Sequence, residues 1–196
     1  DIGPKAGLPV MEGKALLYKY LGGVDAWPIM VDTKDPDKLI ETVLLIQPGF
    51  GGVNLEDISQ PKCFRILDTL RAKAEIPVWH DDQQGTATVT LAGLINALKV
   101  VGKEMSEARI VFVGSGASNV ACSRLIFSAG ATPGLCIMVD SKGTLHKGRD
   151  DIQLRKAEYV DKWKLCHGTA VAASCRPIIA FPSGSRRSRS WRAPAP

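Results

Sequence analysis

Apolar residues recur along this chain in two rhythms, and together they lay out its elements. Ala15, Leu16, Leu17, Tyr20 and Leu21 predict a helix over Glu12 to Leu21, stopped by Gly22-Gly23. Trp27 to Val31 is a short apolar run that predicts a buried strand. Asp35-Pro36-Asp37 marks a helix start, with Asp35 as N-cap, Pro36 in the first helical position and an acid in the first turn. That helix runs to about Ile46, and Pro61 opens another whose Phe64, Leu67 and Leu70 share one face. Ile76 to Trp79 predicts a strand, and Thr86 to Val101 a strongly apolar helix buried between layers. From Arg109 the order becomes strand (Ile110 to Val113), glycine-rich turn, helix (Val120 to Ser128) and strand (Leu135 to Val139). This βαβ unit implies a parallel sheet with a right-handed crossover. No internal repeat is visible, and the natural boundary falls near Gly102 to Ala108.

Composition narrows the classes. Hydrophobic residues at 45% and charged residues at 23% let a real core form, and the length suits one domain or one and part of another. The net charge of +5 invites a nucleic-acid reading. Arg186, Arg187, Arg189 and Arg192, in an acid-free stretch from 183 to 196, account for +4 of it and leave +1 elsewhere. No basic face is therefore implied for the body, and Trp191 alone gives the tail no aromatic interleaving. Five cysteines without a CxxC pair fit a reducing, cytoplasmic setting. The apolar run Val89 to Val101 is interrupted by Asn96 and Lys99, so no membrane span or membrane partner is expected.

Candidate chemistry gathers at three places. His80-Asp81-Asp82-Gln83-Gln84-Gly85-Thr86-Ala87 sets two carboxylates at a strand end, where a hard divalent cation finds the oxygen ligands it prefers. A second pair, Glu56-Asp57, lies earlier in the chain; the bland alternative is that Glu56 and Asp57 cap a turn and Asp82 caps the following helix. His80 has no partner histidine at ligand spacing and reads as a hydrogen-bonded structural residue. Gly114-Ser115-Gly116-Ala117-Ser118-Asn119 follows a strand and opens a helix, the context a dinucleotide loop requires. Gly114 suits the tight turn and Gly116 the close approach of a pyrophosphate at the helix N-terminus. Asn119 replaces the usual third small residue; it either loosens helix–strand packing or itself bonds a phosphate. Asp140, at the end of the next strand, is placed to accept the ribose hydroxyls of NAD, which slightly favours NAD, whereas Lys142 would favour the extra phosphate of NADP.

These segments resemble malic enzymes of the small prokaryotic type. Asp1 to Lys14 looks like the stretch leading into that family's catalytic lysine, and Phe50 to Ile58 like the one carrying two metal ligands. The His80 to Ala87 run is similar to the one carrying the third. The match continues through Ser141-Lys142-Gly143-Thr144-Leu145-His146-Lys147-Gly148-Arg149 to about Cys166, or 166 of 196 residues. The resemblance implies an α/β fold, with a three-layer catalytic domain over 1–105 followed by the first half of a Rossmann-type NAD-binding domain over 106–166. It makes Lys14 the base, Asp81 its orienting partner or part of the metal shell, and Glu56, Asp57 and Asp82 ligands to Mg²⁺ or Mn²⁺. The implied activity is oxidative decarboxylation of malate to pyruvate and CO₂ with reduction of NAD or NADP, in a homo-oligomer, a dimer in the intact enzyme. As a base, Lys14 needs its pKa lowered by burial or a nearby positive charge.

The chain also reads as a fragment. It starts at Asp1, inside the resembled motif, while the family's tyrosine acid would lie upstream. Residues 167–196 lose the pattern and are expected to be a divergent, disordered basic tail, either an interaction segment or, preferably, a frameshifted or spliced end. The competing function is a non-catalytic fragment that keeps the fold or a subunit interface.

Overall fold

In the computed structural model of the protein, the described residues are 2–146, 149–150 and the backbone of 179–182. Five helices are described: α1 (Pro4–Gly22), α2 (Pro36–Ile46), α3 (Lys62–Lys73), α4 (Thr86–Val101) and α5 (Ala117–Ser128). The strands are β1 (Val53–Leu55), β2 (Val78–His80), β3 (Ile110–Val113), β4 (Cys136–Asp140), β5 (Gly143–Thr144) and β6 (Ile179–Pro182). The fold is α/β, as expected.

Local signals explain most boundaries. The Asp35 carboxylate accepts the Asp37 backbone N–H at 2.9 Å, and Pro36 needs no donor at the head of α2. Gly23 ends α1 in the left-handed conformation, its N–H bonded to the Lys19 carbonyl at 3.1 Å. α1 begins at Pro4, well before the expected Glu12, and accommodates Pro9 within it. Trp27 to Val31 forms no strand; Pro28 lacks a ladder donor and Trp27 is 75% exposed. α4, expected to be buried between layers, is buried on one side only. Ala87, Leu94 and Leu98 face inward, while Val89, Val100 and Val101 are exposed.

Two sheets form. β1 and β2 pair in parallel, with Leu55 opposite His80. The second sheet runs β5-β4-β3-β6, with β3 parallel to both β4 and β6 and β5 antiparallel to β4. β6 comes from inside the stretch expected to be a divergent tail, and its Ile-Ala-Phe-Pro sequence is apolar enough to extend a sheet. The other residues of 167–196 lie outside the described ones.

α3 serves both cores. Its Ile66, Leu67 and Leu70 pack with Ile40 and Val43 of α2, Leu55 and Val78. Its Cys63 and Phe64 join Leu94 and Leu98 of α4, Phe112 of β3 and Val120, Cys122 and Ile126 of α5. Each such fully buried aliphatic side chain is worth roughly 1.5–3 kcal/mol. The Phe112 and Phe127 rings meet edge to face, 6.3 Å apart. α4 packs on α5, and both touch the Asp81–Gly85 turn.

Candidate active site

The β1–β2 register decides what can meet. With Leu55 opposite His80, the next residues, Glu56 and Asp81, emerge side by side from the carboxyl ends of two parallel strands, where open α/β sheets bind ligands. Asp57 follows in the left-handed region at φ 54°, which Asp tolerates better than most residues. Its N–H donates to Asp82 Oδ2 at 2.9 Å, tying the two acidic pairs together.

Asp81 to Gly85 form a single π-type turn ahead of α4. Such a turn admits an extra residue and re-aims side chains. Gly85 has ordinary helical dihedrals, yet a Cβ there would run into the Asp81 carboxylate. The glycine is therefore a clearance for Asp81.

Lys14 reaches this corner from α1. Its ammonium bonds Asp81 and lies 3.2 Å from Glu56 Oε2, which also accepts from Asn54 Nδ2 at 3.2 Å. Burial would lower the Lys14 pKa, but the bonds to Asp81 and Glu56 outweigh it, and the net movement is upward. The lowered pKa required of a base is therefore absent from these protein groups by themselves. Glu56 also moves up, against the usual effect of an ion pair. Burial pushes it there, the bonds from Lys14 and Asn54 oppose the rise, and the Asp82 charge adds to it. We give burial the greater weight, because the Glu56 side chain is only 10% exposed.

A cavity of about 670 Å³ opens beside these groups, lined by Lys14, Tyr18, Asn54, Glu56, Asp57 and Trp79 among others. Asp81 and Asp82 are not on its wall. Tyr18, one turn beyond Lys14, escaped the sequence reading, although its i+4 spacing signals a shared helix face. Burial and then the Asp81 charge hold its phenol above the ordinary range.

Glu56, Asp57 and Asp82 form an all-oxygen donor set whose chemistry fits Mg²⁺ or Mn²⁺. Their side chains are not gathered as a ligand cluster: among the described residues no group of three or more acidic, histidine or cysteine side chains is poised to hold a cation. Glu56 faces Lys14, and Asp82 faces the Asp57 N–H. His80 departs from the expected hydrogen-bonded ring. It is fully buried, neither ring nitrogen has a bond, and Nδ1 stands 3.9 Å from Asp82 Oδ2. Burial lowers its pKa against the pull of Asp82. Its backbone N–H donates to Gln84 Oε1 at 2.7 Å.

The glycine loop is built as a strand-to-helix turn. Gly114 takes φ 103°, and its N–H bonds the Val139 carbonyl at 2.7 Å, so the loop lies against the end of β4. Gly116 caps α5, Ser115 is buried, and Ala117 and Ser118 form the first helical residues. Asn119 Nδ2 donates to the carbonyls of Val113 and Gly114 at 2.8 and 3.1 Å. It braces the loop from behind. Asp140 sits at the end of β4, where Arg149 Nη1 and Nη2 donate to Oδ1 and Oδ2 at 2.9 and 3.1 Å. The Lys142 N–H adds a bond to Oδ1 at 2.9 Å.

Comparison with known proteins follows this division. Residues 1–71 match the malic enzyme N-terminal domain, and residues 83–179 match the malic enzyme NAD binding domain, which takes in α4 and ends inside β6. The bifunctional malic/malolactic enzyme of Bacillus subtilis is 49% identical over 166 residues, covering 83% of this chain and 40% of that protein. The NAD-dependent malic enzyme of Geobacillus stearothermophilus is 52% identical over 147 residues, 75% of this chain and 30% of that one. The crystal structure of Entamoeba histolytica malic enzyme superposes with a TM-score of 0.78 at 58% identity, covering 85% of this chain and 35% of its own. The chain thus spans well under half the length of these relatives. With matches in the expected order over both its sheets, the chain belongs to the malic enzyme family.

Proposed function

We propose that this chain contributes the base, the metal corner and the dinucleotide loop of an enzyme that oxidatively decarboxylates malate to pyruvate and CO₂ with NAD or NADP. The carrying observation is the Lys14 ammonium held between Asp81 and Glu56 at the carboxyl ends of β1 and β2. A lysine so placed, beside a cavity and among carboxylates, suits proton transfer better than a surface role.

Glu56, Asp57 and Asp82 would hold Mg²⁺ or Mn²⁺. That cation supplies positive charge, which acidifies a neighbouring hydroxyl and stabilises the negative charge that develops as CO₂ leaves. The loop from Gly114 to Asn119, with Asp140, would seat the dinucleotide, which supplies the hydride acceptor.

Lys14 does the proton work. Asp81 is bonded to its ammonium and orients it, and in its neutral form Lys14 is the amine that would accept the proton of the C2 hydroxyl. Gly85 leaves Asp81 the room to hold that position. Tyr18 stays protonated beside Lys14 and can donate a hydrogen bond into the cavity. The relatives include NAD- and NADP-dependent malic enzymes, which supports the reaction class without choosing the nucleotide.

We place the catalytic part over 1–105 and the nucleotide part over 106–166, in a cytoplasmic protein that is a dimer when intact. No helix among the described residues is long and apolar enough to cross a membrane. The test is malate-dependent reduction of NAD and NADP with Mn²⁺, in wild type and Lys14→Met. Equal rates in the two proteins would remove Lys14 from the chemistry.

A further inference from the structure

His80 stands where the sheet calls for an apolar side chain. Side chains alternate along β2, so His80 points to the same side as Val78, which packs with Leu55, Ile66, Leu67 and Leu70. Trp79 points the other way, onto the wall of the cavity. The imidazole thus faces away from that cavity. It is fully buried, and among the described residues neither Nδ1 nor Nε2 has a hydrogen-bond partner. A polar ring buried without partners is costly, and an aliphatic side chain would serve the packing better.

One acceptor is within a short move. Asp82 Oδ2 lies 3.9 Å from His80 Nδ1, about 1 Å beyond a normal hydrogen bond. The two side chains are not equally free to close that gap. The ring is enclosed, with its backbone N–H bonded to Gln84 Oε1, while the Asp82 side chain is 38% exposed. Burial keeps the ring neutral, so it carries one N–H to donate. Asp82 Oδ2 already accepts the Asp57 N–H at 2.9 Å, and a carboxylate oxygen can accept two such bonds. A small turn of Asp82 that keeps the first bond and gains the second anchors Oδ2 from two sides.

We infer that His80 is a positioning residue for the metal corner: its Nδ1–H anchors Asp82 Oδ2 and so leaves Oδ1 as the oxygen that a divalent cation takes. The inference deepens the proposed function and rests on Asp82 being a ligand. A carboxylate held by one oxygen presents the other in one orientation, which leaves less ordering for the cation to impose.

The test is Mn²⁺ titration of the full chain, without malate or nucleotide, together with thermal melting in the absence of metal. His80→Leu should lose about ten-fold in Mn²⁺ affinity, the usual effect of removing a partner behind a ligand. Its metal-free melt should come no lower than that of wild type, because two unpartnered polar atoms have gone. His80→Asn carries an amide N–H where Nδ1 stood and should keep Mn²⁺ affinity within about three-fold of wild type. His80→Gln carries its amide where Nε2 stood and should bind like the leucine variant. The asparagine and glutamine pair decides the matter if His80→Leu does not fold. Wild-type Mn²⁺ affinity in His80→Leu, or equal losses in the asparagine and glutamine variants, would overturn the role of His80 while leaving the metal corner in place. A wild type that binds no Mn²⁺ would overturn the metal corner itself, and this inference with it.

Discussion

Lys14 and Glu56 lie 3.2 Å apart, ammonium to carboxylate, although one comes from a helix and the other from the end of a strand. The lysine thereby occupies charge that a divalent cation would otherwise claim. If Glu56 holds a divalent cation as proposed, that cation has to compete with the Lys14 ammonium for its carboxylate.

Lys14→Met should therefore bind Mn²⁺ more tightly than wild type, by a few-fold to about ten-fold on the scale of one partly solvated charge. The same variant should be inactive with malate. Manganese titration by electron paramagnetic resonance measures the first effect. Unchanged or weaker Mn²⁺ binding in this variant would show that Glu56 is not a ligand.

Asp57 offers a clean substitution because its backbone is left-handed. Asp57→Asn keeps a residue that tolerates this conformation, while Asp57→Ala adds about 1–2 kcal/mol of strain. Both should weaken Mn²⁺ binding about ten-fold or more by removing one of three carboxylates. Only the alanine variant should melt noticeably earlier. Wild-type Mn²⁺ affinity in both would dismiss Asp57 from the metal corner.

Asn119→Ala leaves the carbonyls of Val113 and Gly114 without the donor they now share. We expect a loss of about 1–3 kcal/mol in urea unfolding. Nucleotide affinity should fall as well, since the loop loses its brace. Improved nucleotide binding would mean that Asn119 obstructs the site.

Cys122 is 1% exposed, and burial raises its thiol pKa against a hydrogen bond with Thr90. A group whose folded pKa is raised contributes stability below its unfolded pKa and loses that contribution as pH climbs through the folded value. Wild type should thus lose stability above about pH 8.5 more steeply than Cys122→Ala. The native thiol should also resist alkylation at pH 8. Rapid modification without unfolding, or identical alkaline slopes, would contradict the assignment.

What the sequence made legible was local. The Asp35 cap and Pro36 announce α2 within three residues, and β3, the glycine turn, α5 and β4 follow one another as a contiguous unit. The early start of α1 was harder to see, because Pro9 reads as a breaker while Pro4 is a permitted first residue. Trp27 to Val31 has strand-like residues, but a strand needs a neighbour, and pairing is non-local. The same limit governs the site. Lys14, Glu56, Asp57, Asp81 and Asp82 were named from motifs, but their meeting depends on the register of two three-residue strands. The pairing of Arg149 with Asp140 depends on the reversal at Gly143, and the reason for Gly85 appears only once Asp81 has a position.

α4 carries a consequence for how this chain could be lengthened or shortened. Its first turn continues from the Asp81–Gly85 segment, and its buried face packs in the same core as α5 below the glycine loop. The spacing between the acidic corner and the dinucleotide loop is therefore gauged by helix contact, and the connecting segment at 102–109 only follows. An extra residue in that connector should be absorbed as slack. One inserted within α4 would turn everything on one side of it by about 100° relative to the other, swinging Leu94 and Leu98 out of the core and breaking the gauge.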